Sequence, residues 1–200
     1  YKLWGQEYNI EENPIDELTK IYIRINNLCK EDEKVLEECR NNFKKLEDGD
    51  KYCVELWEKF KSLSLKEFQK VYDLLGSEFD SWNGEAFYSD KMPEVLEEMK
   101  QKNIMQESEG ALIVDLEKYD MPPALIMKKD GSTLYTTRDI AAALYMKEHY
   151  DFYKNIYVVA SQQNLHFKAW MKIVELMGYE WAKDCIHVPF GMVSLEEGTL

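Results

Sequence analysis

An α/β fold is predicted, and three observations carry it. Residues 14–75 are charge-rich, with apolar residues recurring at helical spacing. Residues 77–128 hold short apolar runs separated by polar turns, the pattern of a small sheet. From residue 129 onward apolar strand-like runs alternate with helical stretches, which favours βαβ units and a parallel sheet.

Each element has a local cause. Pro14 opens a helix with Ile15, Leu18, Ile21, Tyr22, Ile25 and Leu28 near helical spacing. Proline suits a first turn because the N–H it lacks has no partner there anyway. A second helix is expected around residues 31–47, stopped by Asp48-Gly49-Asp50. A third begins near Asp50, is weakened by Ser62 and Ser64, restarts at Ser64-Leu65-Lys66-Glu67 as a capping box, and ends at Gly76. Together they read as an antiparallel helical layer with solvated Glu/Lys faces. Phe79 and Trp82 around Asp80, then Asn83-Gly84, read as a short strand and turn. Pro93 starts a helix reaching Met99, and residues 104–106, 111–116 and 124–127 are the short apolar runs. Lys129-Asp130-Gly131-Ser132 is a turn. Thr137 is placed to cap a helix through residues 140–147. A buried strand follows at 155–160, then a helix from about 164 to 177 stopped by Gly178. Residues 185–189 form a further strand, followed by Gly191-Met192-Val193.

The totals narrow the function. A length of 200 residues supports a real core, in one sizeable domain or two small ones. With 45% hydrophobic residues and 13 Tyr, 8 Phe and 5 Trp, the chain packs an interior rather than staying disordered. The formal net charge of -13 argues against a broad basic face for nucleic acid, though not against a local cluster of Lys and Arg. Cys29, Cys39, Cys53 and Cys185 show no C-x-x-C pairing and no zinc-like spacing with His149, His166 or His187, so they read as reduced, partly buried thiols. No signal peptide is evident, and no apolar run approaches the roughly 18 residues of a membrane span. The expected location is therefore cytoplasmic. The chain begins at Tyr1 and ends in mid-pattern at Gly198-Thr199-Leu200, which reads as an excised fragment.

Residues 130–168 carry the chemistry, because small ligands bind at strand ends in open α/β sheets. Asp139, placed in the first turn of its helix, is favoured as the ion by free N–H groups and the helix dipole. It either completes that N-terminus beside Thr137 or faces the cleft and binds a cation. Tyr135, four residues earlier, is either a buried strand tyrosine or offers its ring or hydroxyl to that cation. Arg138 is half of an ion pair or a third site residue. Gln162 and Gln163 are turn residues, or amides that donate and accept at once as a zwitterionic amino acid or a ribose requires. His166 opens the next helix, where the dipole disfavours its charged form. It is a neutral donor to a phosphate or sugar oxygen, or else a satisfied surface or core group. His187 reads as structural. There is no Gly-rich phosphate loop, no G-x-S-x-G elbow and no Cys/His nucleophile pair. The residues alone thus reach a βαβ ligand-binding domain with an anion-poised site.

The same residues resemble a known family. K-x-D-G-x-T-L-Y-x-T-R-D-I-A-A from Lys128, Y-V-V-A-S-Q-Q-N-L-H-F from Tyr157, M-G-Y-E-W-A-K-D from Met177 and H-V-P-F-G-M-V from His187 are similar to the catalytic domain of arginyl-tRNA synthetases, class I enzymes. L-G-S-E-F-D-S-W-N-G-E at residues 75–85 also matches. The resemblance is densest over 123–194 and extends to the N-terminal Y-K-L-W-G. It implies the second half of a Rossmann-like parallel-sheet nucleotide fold with a mostly helical α+β insertion. Three segments follow: a helical segment 1–76, a small α+β connective region 77–128, and the second half of the catalytic domain at 129–200.

By resemblance, the family activates L-arginine with ATP, accompanied by Mg2+, and transfers it to tRNA(Arg). Tyr135 and Asp139 line the guanidinium pocket, where two carboxylate oxygens match two parallel N–H donors. Gln163 holds the α-amino end, His166 lies near the adenylate ribose or phosphate, and the backbone of Gly191, Met192 and Val193 flanks the adenine. The family's His-Ile-Gly-His motif and Lys-Met-Ser-Lys-Ser type loop are not among these residues, nor are its tRNA-binding domains. The 200-residue chain is therefore expected not to catalyse adenylation alone, and with its truncated sheet to self-associate or to bind arginine very weakly. Two other readings stay open: another class I synthetase or nucleotidyl transferase, and a helical interaction module built on residues 14–75.

Overall fold

The computed structural model describes residues 1–192 and the backbone of residues 194, 195, 198 and 199. The chain divides into two compact units, Tyr1–Ser81 and Trp82–Leu200.

In the first unit, a 3-10 turn at Gly5–Glu7 precedes α1 (Pro14–Glu31), α2 (Glu33–Glu47) and α3 (Lys51–Leu75), which pack pairwise. Aspartates cap the second and third helices. Asp32 accepts the Lys34 N–H at 2.9 Å and Asp50 the Cys53 N–H at 3.0 Å, satisfying donors that have no partner within the helix. The bond from Cys53 also holds the Asp50 carboxyl below its usual range. The break expected at Ser62–Ser64 does not occur, and α3 runs unbroken for 25 residues. Leu56, Phe60, Leu63 and Glu67 form a half-buried stripe that continues past the serines, and that packing outweighs their weak helix propensity. Gly76 ends α3 at a φ of +66°, and the Ser77 N–H closes onto the Tyr72 carbonyl at 2.9 Å.

The expected strand at 79–82 does not form, and Phe79 packs edge-on against Tyr72 at 4.7 Å. In the second unit, residues Glu85–Lys91 form a 3-10 turn. Aromatic packing holds it: Phe87, Tyr88 and Tyr145 meet edge-to-face at centroid distances of 5.1 to 5.7 Å. α4 (Met92–Gln101) follows, burying Met92, Val95 and Met99 on one face. β1 (Gln106–Ser108), β2 (Ala111–Val114) and β3 (Ala124–Met127) form the small sheet, antiparallel in that order. Its first strand lies two residues later than expected because Ile104 and Met105 pack against the core instead.

The βαβ unit then follows: α5 (Tyr135–Tyr150), β4 (Asn155–Ala160), α6 (Asn164–Leu176) and β5 (Cys185–Phe190). β4 and β5 are parallel, in register from Asn155 opposite Cys185 to Ala160 opposite Phe190. The strand before α5 is β3, which belongs to the antiparallel sheet, so the alternation after residue 129 supplies two parallel strands rather than three. β6 (Ser194–Leu195) and β7 (Gly198–Thr199) pair antiparallel. One core takes Met99, Leu116, Ile126, Ile140, Trp170 and Ile173, all fully buried, so the small sheet and the βαβ unit share an interior. No helix among the described residues is long and apolar enough to cross a membrane.

Candidate functional site

α5 starts at Tyr135, two residues before the expected cap. Leu134 is its N-cap and supplies no side-chain bond. Thr137 lies fully buried inside the helix, and its hydroxyl donates to the Ile126 carbonyl at 3.1 Å, tying α5 to β3. Thr137 is thus a link between elements, not a cap. Asp139 moves accordingly to the second turn, and the first turn holds no acidic residue. Dipole stabilisation fades beyond the first turn, so it does not explain the carboxylate.

What holds Asp139 is His166, the third residue of α6. The His166 Nε2–H donates to Asp139 Oδ2 at 2.5 Å, across the packed α5–α6 pair. The His166 side chain is 11% exposed and that of Asp139 38%, so the carboxylate reaches solvent while its anchor does not. Tyr135 and Asp139 are four residues apart and share a helix face. The Tyr135 ring lies against the imidazole, with centroids 4.5 Å apart and planes tilted by 60°. The expected role of His166 as a free donor to phosphate or sugar is therefore changed, because its Nε2 is engaged by a carboxylate.

The imidazole is backed by a chain of rings. His166 meets the buried Phe167 edge-on at 5.7 Å, and Phe167 stacks on His187 at 4.2 Å. The His187 Nε2–H donates to the Val159 carbonyl at 2.9 Å, which makes His187 structural as expected. Behind these rings, burial raises the Tyr157 hydroxyl above its ordinary range and pushes the Cys185 thiol up to about 11. Both stay protonated near neutrality and offer no nucleophile.

The remaining candidates sit at strand ends. Gln163 closes a 3-10 turn, Ser161–Gln163, that follows β4 directly, and its side chain is exposed. Gly191 and Met192 follow β5 and are also exposed. Because Ala160 pairs with Phe190, both groups leave the same carboxyl end of the parallel pair, where ligands of open α/β sheets bind. Val193 lies outside the described residues. Among the described residues, no hydrogen bond joins Gln163, Gly191 or Met192 to the Tyr135–Asp139–His166 group. Arg138 takes its ion-pair role: its Nη1 donates to Glu85 Oε2 at 2.7 Å. Glu85 has no local signal as its partner, since 53 residues separate the two.

The arrangement offers a cation a partly exposed carboxylate beside an aromatic ring, next to a strand-end turn rich in amides. The described residues contain no cluster of three His, Cys, Asp or Glu side chains able to hold a metal ion. A shallow cavity of about 410 Å³, lined by Tyr119, Met121, Lys168 and Lys172 among others, includes none of the site residues.

Comparison with known proteins bears on the family and the fold. The family model described as "tRNA synthetases class I (R), catalytic domain" matches residues 1–199. A protein of Clostridioides difficile named arginine–tRNA ligase is 60% identical over 200 residues, covering 100% of this chain and 35% of that protein. One of the same name from Halothermothrix orenii is 59% identical over 197 residues, covering 98% of this chain and 35% of that protein. This chain thus spans about a third of the length of these relatives. The crystal structure of arginyl-tRNA synthetase from Plasmodium falciparum superposes with a TM-score of 0.70 at 26% identity, over 84% of this chain and 30% of that one. The Thermus thermophilus arginyl-tRNA synthetase shares the fold, with a TM-score of 0.65 at 18% identity, over 91% of this chain and 37% of that one. The chain belongs to the family of class I (R) tRNA synthetase catalytic domains.

Proposed function

We propose that this chain is the central part of an arginine–tRNA ligase, carrying the arginine pocket and part of the ATP site. The protein would activate L-arginine with ATP and pass the arginyl group to tRNA(Arg). The observation that carries the reading is the Asp139 carboxylate, anchored by His166 and flanked by Tyr135. A guanidinium is planar, always charged and rich in parallel N–H donors, so a fixed, partly exposed carboxylate suits it better than it suits a neutral side chain. Tyr135 supplies an aromatic edge or face to the same cation. Gln163, on the turn after β4, takes the α-amino end of arginine. Gly191 and Met192, with Val193, present backbone to the adenine from the neighbouring strand end. His166 lies near the adenylate ribose or phosphate with whatever donor capacity Asp139 leaves it. Mg2+ would accompany ATP as its phosphate counter-ion.

A cytoplasmic location fits this activity. The chain on its own also bares one face of its parallel pair, with Ile156, Val158, Val188 and Phe190 all substantially exposed. Parallel sheets are normally covered on both faces, so self-association of the isolated chain would run through this face.

The test of the arginine reading uses the full-length enzyme with Asp139→Asn, which keeps shape and removes charge. Arginine-dependent ATP–pyrophosphate exchange is expected to show KM for arginine raised by about 100-fold or more, as loss of a charged hydrogen-bonded partner implies. The wild-type enzyme is expected to reject citrulline, which keeps the shape of arginine without its charge. An Asp139→Asn enzyme with an unchanged arginine KM would refute the assignment.

A further inference from the structure

We propose that His166 is a positioning residue for arginine specificity, fixing the plane of the Asp139 carboxylate rather than touching substrate through Nε2. The inference rests on the reading of Asp139 as the guanidinium acceptor. A carboxylate turns easily about its last bond, because that torsion has broad, roughly two-fold minima. Pairing with two parallel N–H donors tolerates no such freedom, since both oxygens must lie in the plane of the guanidinium. Among the described residues, the His166 Nε2–H bond to Oδ2 at 2.5 Å restrains that freedom. Each carboxylate oxygen has two acceptor positions, so Oδ2 can hold His166 and still share a ligand with Oδ1.

The imidazole is itself fixed on two sides. Tyr135 lies against it at 4.5 Å and Phe167 meets it edge-on at 5.7 Å, and only 11% of the side chain is exposed. Phe167 is in turn stacked on His187 at 4.2 Å, and His187 is bonded to the backbone of β4. The orientation of Asp139 is thus set by a relay of packed rings that begins at His187 on β5 and ends at His166. A histidine that only contacted the nucleotide would not need Nε2 committed to the amino-acid side of the site.

The test is a set of variants of the full-length enzyme, assayed by ATP–pyrophosphate exchange with arginine and ATP varied in turn. His166→Phe keeps a ring against Tyr135 and removes the donor. It is expected to raise KM for arginine by about 10- to 100-fold, the range for a hydrogen bond to a charged group, with KM for ATP within threefold. His166→Gln, which can place an N–H near the position of Nε2, is expected to recover at least part of that loss. In an Asp139→Asn background, His166→Phe is expected to add less than threefold, because its route to the substrate has gone. One readout needs no variant: in the wild-type enzyme the His166 Nε2–H proton resonance should shift when arginine is added and stay in place with ATP alone. The proposal is overturned by a raised ATP KM with an unchanged arginine KM in His166→Phe, by additive losses in the double variant, or by a proton resonance that answers to ATP alone. If Asp139→Asn cripples arginine use while His166→Phe does not, this proposal fails and the proposed function stands. If Asp139→Asn itself has no effect, both fall.

Discussion

Thr137 distinguishes two accounts of how α5 is built, and its substitutions rank differently under each. As an N-cap, its oxygen would accept a backbone N–H, and aspartate would serve as well as or better than threonine. In the structure the residue is fully buried and its hydroxyl instead donates to the Ile126 carbonyl at 3.1 Å. Thr137→Ser keeps that donor and loses one buried methyl, a cost of about 1 kcal/mol. Thr137→Val keeps the volume and leaves the carbonyl without its donor, costing about 1–3 kcal/mol. Thr137→Asp sets a carboxylate against a carbonyl oxygen in the core, where desolvation costs several kcal/mol. The expected order of stability is wild type, Ser, Val, Asp. Urea denaturation followed by circular dichroism measures it: with a slope near 2 kcal/mol/M, the Val change moves the midpoint by about 0.5–1.5 M. An Asp variant more stable than the Val variant would refute the cross-element role and restore the cap.

Two further outcomes follow from the second unit. Burial pushes Cys185 up to about 11, and burial with a 2.7 Å bond donated to Glu98 pushes Tyr179 up to about 12. The unfolded chain loses these protons near 8.5 and 10, so it binds fewer protons than the folded state across both windows. Stability is therefore expected to hold up to about pH 8 and to fall as pH rises beyond it, with Tyr179→Phe removing part of the decline above pH 10. Urea midpoints that rise from pH 8 to 11 would contradict this. For the bare sheet face, Val158→Lys is expected to reduce self-association of the isolated chain in sedimentation, and a wild-type chain that stays monomeric at all concentrations would exclude the idea.

The parts legible in the sequence are those with local causes. Pro14 does start α1, Asp50 does cap α3, the apolar run at 155–160 is β4, and Gly178, at a φ of +92°, follows the end of α6. The parts that were not legible depend on partners distant along the chain. α3 passes through Ser62 and Ser64 because a packed stripe continues on both sides of them. The segment at 79–82 forms no strand, and Phe79 instead packs edge-on against Tyr72 of α3, with centroids 4.7 Å apart. The candidate site shows the same division. Residue type and place in the chain make Tyr135, Asp139, Gln163 and His166 candidates beside Arg138 and Gln162, and only the family resemblance selects among them. The bond between Asp139 and His166, across 27 residues, and the pairing of Arg138 with Glu85 have no signature in local spacing.

The helix start joins these observations. If α5 began after a cap at Thr137, Tyr135 would lie in extended chain, where its direction is unrelated to that of Asp139. Starting at Tyr135 places the two residues one turn apart on a single face, and that face packs against α6 at His166. The bond that favours this start is Thr137 to Ile126, since it draws the first turn of α5 onto β3. A core hydroxyl bonded to β3 thereby helps set the tyrosine and carboxylate of the proposed arginine pocket on one helix face. It follows that Thr137→Val should weaken arginine binding in the full-length enzyme beyond its effect on stability, because the shift it permits at the start of α5 is one the site cannot absorb.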